Sequence, residues 1–459
     1  MILPPILTRE HMRAFIAAYT RLFSVREIED NAKLQWFFGA MLLFFLVTFA
    51  QWSTSSFLSA EESYSALCWP YFPDCTQWYL LHSLPYGYSM SMLYMALFAV
   101  MLLTVFFIAH KKWAYAHMAL LALWIWKFLA IFLLSYSLGG VYDSYHLFLT
   151  AALLFVPYKE FFAKLTFVVL YFLSATIKFY PTWTLGTYFT TLELGLPIFP
   201  DFLAPLITQS VILEQVVGCW FLLSQNWLRQ RLTLAYFVLF HLYGGILVLF
   251  NYSLISLPTL LILFGSSYRH QRVPLTRSSI AGWALIVFLF AFQTPVHFIA
   301  GDEKYTLEGY RFGMWMFDAN HQCRASFTAY AKDGVTWSAS SYEAPRDRDC
   351  YGKICLASRH VYQEHNQWLE TRVYESPNAE SRCAPYAYWQ SYRYLCTGDV
   401  ERVSMRQDAS INGGPYYRIV DEPDMCSLEY RTFSHNDWIQ QPPEAPFVGF
   451  ARKNTYYAY

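Results

Sequence analysis

The stretch FVVLYFLSATIKFYPTWTLG, residues 167–186, decides how this chain is read. It opens as an apolar run, reaches Lys178, and breaks at Pro181 before Gly186. With the residues before it, the run can supply the roughly 20 apolar positions that a bilayer-crossing helix needs. A lysine closing such a helix ordinarily extends its ammonium toward water. The residues around Lys178 also allow a chemical role, and the rest of the chain sets the context for choosing.

Composition points to a membrane. Of 459 residues, 56% are hydrophobic, 20% aromatic and 14% charged, against about 25% charged in a soluble domain. The apolar runs fill residues 35–300, and nine of them read as spans: 35–53, 87–109, 113–137, 142–157, 161–178, 203–224, 232–250, 253–267 and 279–300. Lys and Arg collect in alternate connections: in the N-terminal segment, at Lys111–Lys112, at Lys159 and Lys164, at Arg229 and Arg231, and at Arg269, Arg272 and Arg277. The connections near 54–86, 138–142 and 251–252 hold neither residue. The positive-inside rule then makes the N-terminus cytoplasmic and the C-terminus external. The expected fold is a multi-pass α-helical membrane protein of about nine transmembrane helices, with a C-terminal, mostly β, disulfide-bonded extracytoplasmic domain.

The cysteines agree with that topology. Cys68 and Cys75 fall in the first outside loop, and Cys323, Cys350, Cys355, Cys383, Cys396 and Cys426 in the final segment. An even set on the oxidising side predicts disulfides, with the pairing open. Only Cys219 falls inside a span. Residues 1–34 read as a cytoplasmic, amphipathic interfacial segment, with Ser24 and Glu27 at capping-box spacing. Residues 301–459 turn polar and Tyr-rich. Arg324–Ala331 and Trp368–Tyr374 read as strands, with Asp333-Gly334 and Gly413-Gly414 as turns.

The zero net charge gives nucleic acid nothing to bind. The chain has no HExxH, no GxSxG and no phosphate-binding glycine loop. His360 and His365 have the wrong spacing for one helix face, so no metal is expected. The informative groups are the ionisable ones inside spans: Lys127, Lys178, Glu214 and His241. Burying such charges in hydrocarbon costs about 2.5–3.5 kcal/mol on the lenient scale, so they tend to face the bundle interior. One reading is structural, with Lys127 paired to Glu214 and His241 bonded to a neighbouring helix.

The other reading comes from a resemblance. YFLSATIKFYPTWTLG is similar to the lysine-bearing string of the vitamin K-dependent gamma-carboxylases and the wider HTTM (horizontally transferred transmembrane) group, with Tyr171, Phe172, Lys178, Trp183 and Gly186 in matching places. Glu214 and Gly218 stand where that family has an acidic residue four before a glycine, and Phe240-His241 matches its FH pair. In the external segment YRFGMWMFDANHQ resembles a further family string, with Tyr310, Met314, His321 and Gln322 in place. The resemblance covers roughly residues 140–325.

The resemblance implies a membrane enzyme that couples oxidation of a reduced naphthoquinone, reduced vitamin K, to carboxylation of an extracytoplasmic peptide or protein. A lysine deprotonates the quinol, oxygen converts it into a strong base, and that base takes a γ-proton from glutamate. Lysine serves as a base near neutral pH only where its surroundings disfavour the ammonium. Lys178 would be this base, with His241 and Glu214 supporting it. Tyr171, Trp183, Tyr310, Met314 and His321 would line the cofactor.

The chain also departs from the family. Where the carboxylases have Asn-His before Ser-Tyr, it has Tyr142-Asp143-Ser144-Tyr145, with His146 three residues away. Trp315, Phe317 and Ala319 replace a methionine, a histidine and an arginine, and Leu-Tyr-Gly follows His241. These changes, with the absence of a long C-terminal region, favour a bacterial inner membrane over an animal secretory one. They also open an alternative, a non-catalytic scaffold or complex subunit that keeps the fold. A transporter fits less well, since no inverted repeat is visible.

Overall fold

The computed structural model describes residues 9–54, 69, 88–129, 131, 141–190, 195–248, 252–266, 273, 275–309, 321–340, 350–351, 354–355, 383–396, 398–412 and 414–442. Among these, each of the nine apolar runs holds a helix. The helices longer than four residues are α1 (Arg9–Leu22), α2 (Ala32–Thr54), α3 (Tyr88–Ala109), α4 (Trp113–Leu129), α5 (Val141–Phe155) and α6 (Lys159–Thr176). They continue with α7 (Asp201–Phe221), α8 (Trp227–Ile246), α9 (Ser253–Phe264), α10 (Ile280–Phe298) and α11 (Pro385–Cys396).

By length and composition, α7 and α10 can cross a bilayer. The apolar parts of α2, α3, α4 and α9 are shorter. The physical reason differs along the chain. Helix α9 has 12 residues and carries Pro258 inside, while α6 begins with Lys159, Glu160 and Lys164. Helix α6 is also the most enclosed, with 14 of its 18 residues buried. A helix apolar on all sides belongs to a core, and α6 packs against α5, α7, α9 and α10. On the outer helices, large apolar side chains stay exposed, among them Met95, Leu102, Leu206, Leu213, Leu239, Ile246 and Val287.

The N-terminal segment is docked against the bundle. Tyr19 Oη lies 2.7 Å from His117 Nδ1 on α4. The expected Ser24–Glu27 capping box does not form. Ser24 takes a left-handed backbone, and the Glu27 carboxylate instead accepts N–H bonds from Tyr158 (2.8 Å) and Lys159 (2.7 Å). It thus caps the N-terminus of α6, whose first N–H groups have no partner of their own. Asn31 and Lys33 reach Glu160 at 2.8 and 2.9 Å. Lys159 and Lys164, expected as loop charges, are both buried: Lys159 meets the Leu154 and Val156 carbonyls, and Lys164 pairs with Glu160 at 2.6 Å.

After α10 the chain forms a four-stranded antiparallel sheet in the order β2-β1-β5-β6, from β1 (His321–Ala331), β2 (Thr336–Ser340), β5 (Val400–Ile411) and β6 (Tyr417–Glu422). A two-residue pair, β3 (Cys350–Tyr351) and β4 (Ile354–Cys355), sets Cys350 opposite Cys355 in register. The expected strand Arg324–Ala331 lies within β1, and Asp333-Gly334 turns the hairpin to β2, Gly334 taking a φ of +83°. Ala325, Phe327 and Ala329 alternate inward, as period-2 packing requires. Helix α11, for which the sequence reading placed no element, covers them, with Tyr392 5.3 Å from Phe327 between ring centres.

Two disulfides, Cys323–Cys383 and Cys396–Cys426, tie the two ends of that helix to β1 and to the turn after β6. The expected strand at Trp368–Tyr374, together with Cys68, Cys75 and Gly413, lies outside the described residues.

Candidate functional site

Tyr171 and Ser174 lie on α6, and Lys178 follows in the turn just past its last residue, Thr176. Lys178 does not reach for water, being only 3% exposed. Its Nζ donates to the Ser174 carbonyl at 3.1 Å and to Gln215 Oε1 at 2.6 Å. The Trp183 ring lies 5.8 Å away, a cation–π distance. The turn that carries Trp183 starts at Pro181, whose fixed φ suits a first helical position. Gly186 closes it with a φ of +70°, and a Cβ there would sit 2.7 Å from the Ala204 carbonyl carbon. Only glycine lets this turn lie against the start of α7, where Gln209 also donates to the Thr184 carbonyl at 3.0 Å.

Gln215 belongs to a π-helical turn, Glu214–Gly218, inside α7. Such turns recur at functional sites because the extra residue redirects the side chains. An ammonium has donors only, so the amide oxygen of Gln215 must face Lys178. Its Nε2 is then directed elsewhere, and among the described residues it has no hydrogen-bond partner. The Trp183 indole N–H, also buried, has none either. Native structures leave few buried polar atoms unsatisfied, and each such atom asks for an explanation.

Glu214, the adjacent acid, folds back over Gly218 on its own helix. A Cβ on Gly218 would overlap the carboxylate, and Glu214 Oε2 has no partner. Among the described residues Lys178 thus bonds the amide beside the expected acid. One turn and more below, Tyr171 and His241 share a short hydrogen bond through Oη and Nε2, both side chains being buried. The imidazole Nδ1 has no partner, and Tyr252 stands edge-on to the ring at 5.1 Å.

The sequence residues therefore fall into two contacts, Lys178 with Trp183 just past α6, and Tyr171 with His241 on it. His321 lies on β1, and its Nε2–H donates to the Lys304 carbonyl at 2.7 Å. Lys304 in turn is buried, with Nζ 3.5 Å from the Ile177 carbonyl and 5.5 Å from the Tyr180 ring centre. Tyr180 donates to Asp302 at 3.0 Å, and burial pushes the Asp302 carboxyl above its usual range against the pull of that bond. The segment after α10 is thus fastened to Ile177 and Tyr180, on either side of Lys178 and Phe179. Tyr310 and Met314, with Trp315, Phe317 and Ala319, lie outside the described residues.

The expected Lys127–Glu214 pair does not exist. Lys127 lies 2.7 Å from Asp143, both side chains fully buried. It also bonds Thr48 Oγ1 at 2.8 Å and His146 Nδ1 at 2.9 Å. His146 Nε2 faces the Met41 carbonyl at 3.0 Å, which fixes the hydrogen there and leaves Nδ1 to accept. Thr48 gives its own hydrogen to the Phe44 carbonyl. Lys127 thus holds two hydrogen-bond acceptors and a buried counter-ion. Asp143 and His146 at i and i+3, on the span after Lys127, were the available signal. No comparable signal marked Gln215 or Lys304. No family model, no curated protein and no solved structure matches this chain.

Proposed function

We propose that the chain is a gamma-carboxylase-like membrane enzyme, with Lys178 as its proton-accepting group and a reduced naphthoquinone as its cofactor. The observation that carries this reading is the pair of buried, unpartnered donors beside Lys178: Trp183 Nε1 and Gln215 Nε2. Donors that lack acceptors fit a ligand that presents oxygens, as a quinol does. Trp183 and Gln215 would hold those oxygens, and Lys178 Nζ would take up a hydroxyl proton. Gln215 Oε1 would then keep the resulting ammonium in place. When bound, the reduced naphthoquinone supplies, through oxygen, the base for a glutamate γ-proton. The Tyr171–His241 pair would brace α6 from below.

In this reading the nine helical runs cross the membrane, the N-terminus is cytoplasmic and the sheet domain is extracytoplasmic, in a bacterial inner membrane. The exposed apolar side chains of α3, α7, α8 and α10 would meet lipid. A peptide or protein substrate would arrive from the outside, where the external segment meets the end of α6.

The test is epoxide formation by the purified protein in lipid, given reduced vitamin K and oxygen, with and without a glutamate peptide. Epoxide is expected from the native chain and none from Lys178→Ala that remains folded. A native sample without epoxide would favour a second reading, for which one observation already speaks. Lys178 and Lys304 both bond carbonyls in the last turn of α6, as lysines that only cap a helix end do. The protein would then be a scaffold that keeps the fold.

A further inference from the structure

One acid–base pair in the external segment has no part in the reading above. Glu308 lies between α10 and β1 and is 1% exposed. Its carboxylate accepts from His435 Nδ1 at 2.6 Å, from the Asn436 main-chain N–H at 2.8 Å and from Asn436 Nδ2 at 2.8 Å. A carboxylate of this kind only accepts, so the ring hydrogen of a neutral His435 is on Nδ1. The lone pair is then on Nε2. The imidazole is 23% exposed, and its Nδ1 is tied to a buried carboxylate.

Asn436 is itself fixed by Arg431, accepting from its N–H at 2.6 Å and donating to its carbonyl at 3.0 Å. A clasp alone would be served by Asn436, which already gives Glu308 two hydrogen bonds. Histidine adds what a clasp does not need: a titratable nitrogen in one tautomer, presented outward.

Its place also matters. Gln441 Oε1 accepts from the Asp302 N–H at 2.7 Å, and Asp302 accepts from Tyr180. Gln441 Nε2 lies 3.4 Å from His435 Nδ1, so the pair stands where the segment after α10 meets the residues following Lys178. We infer that Glu308 and His435 form an acid–base dyad acting on a protic group, O–H or N–H, of a water-soluble substrate. His435 Nε2 takes the proton, and the bond's electron pair stays on the substrate. Glu308, the positioning residue, balances the imidazolium until Nε2 returns the proton to product or water. This inference does not depend on the role of Lys178.

Acylation of Nε2 by diethyl pyrocarbonate, mapped by mass spectrometry on the whole protein in lipid, tests it. His435 should react readily, and Glu308→Gln should slow the reaction about tenfold, as loss of an orienting carboxylate does to a histidine elsewhere. Glu308→Asp, which keeps the charge, should restore most of the rate. If Glu308→Gln unfolds the junction, His435 in the native and Glu308→Asp chains still decides. A His435 that stays unmodified, or reacts no faster than the exposed His110, would overturn the dyad and leave a clasp.

Discussion

Two buried lysines occupy this molecule in opposite ways. Lys127 has a full-charge partner in Asp143, and its other two acceptors, Thr48 and His146, each have a further partner of their own. Among the described residues Lys178 bonds an amide and a main-chain carbonyl, and its neighbours Gln215 and Trp183 keep donors that no described residue uses. A buried cation closed on its own counter-ion holds helices in register. A cluster with unused polar atoms is incomplete without something else. Burial alone would not have separated the two.

The same substitution at both lysines should break or sharpen this contrast. Lys127→Met leaves Asp143 buried without its cation, which costs roughly 3–5 kcal/mol. Thermal unfolding in lipid would report this as a large drop in Tm, and an unchanged Tm would show that the pair is not the lock described. The double variant Lys127→Met/Asp143→Leu should recover most of that loss, because an apolar pair of similar volume avoids the desolvation cost.

Gly186→Ala should cost about 1–3 kcal/mol, since the residue combines a positive φ with contact against Ala204. If it is tolerated, the turn bearing Trp183 is looser than its packing implies. Lys178→Met should cost only about 1–2 kcal/mol, the worth of hydrogen bonds to neutral partners. A loss as large as at Lys127 would erase the distinction. The smallest effect is expected for Glu27→Ala, about 1 kcal/mol for a lost helix cap, read as faster hydrogen exchange at the start of α6.

The contrast also shows what the sequence can and cannot say. Helices are legible because apolar runs are local: each run between 35 and 300 holds a helix among the described residues, although their capacity to cross a bilayer differs with length. The string around Lys178 was legible for the same reason, as was the hairpin at Asp333-Gly334. Partners are not local. Glu214 was the natural acid to expect near a lysine, but the π-helical turn brings Gln215 to Lys178 instead. Asp143 was visible as a departure from a family string, without any sign that it would meet Lys127. Helix α11 carries eight aromatic or apolar residues among its 12 in no clean period-2 pattern, and two disulfides hold it in place.

The cap on α6 has a consequence for how the protein is made. Glu27 and the Tyr158 N–H that it holds are 131 residues apart in sequence. During synthesis Glu27, Asn31 and Lys33 emerge long before the turn they grip exists. They can only close over that turn once it has formed. The first-made segment is thus fastened late, like a latch on a finished frame, and trimming or tagging it should be felt at Lys159 before anywhere nearer in the chain.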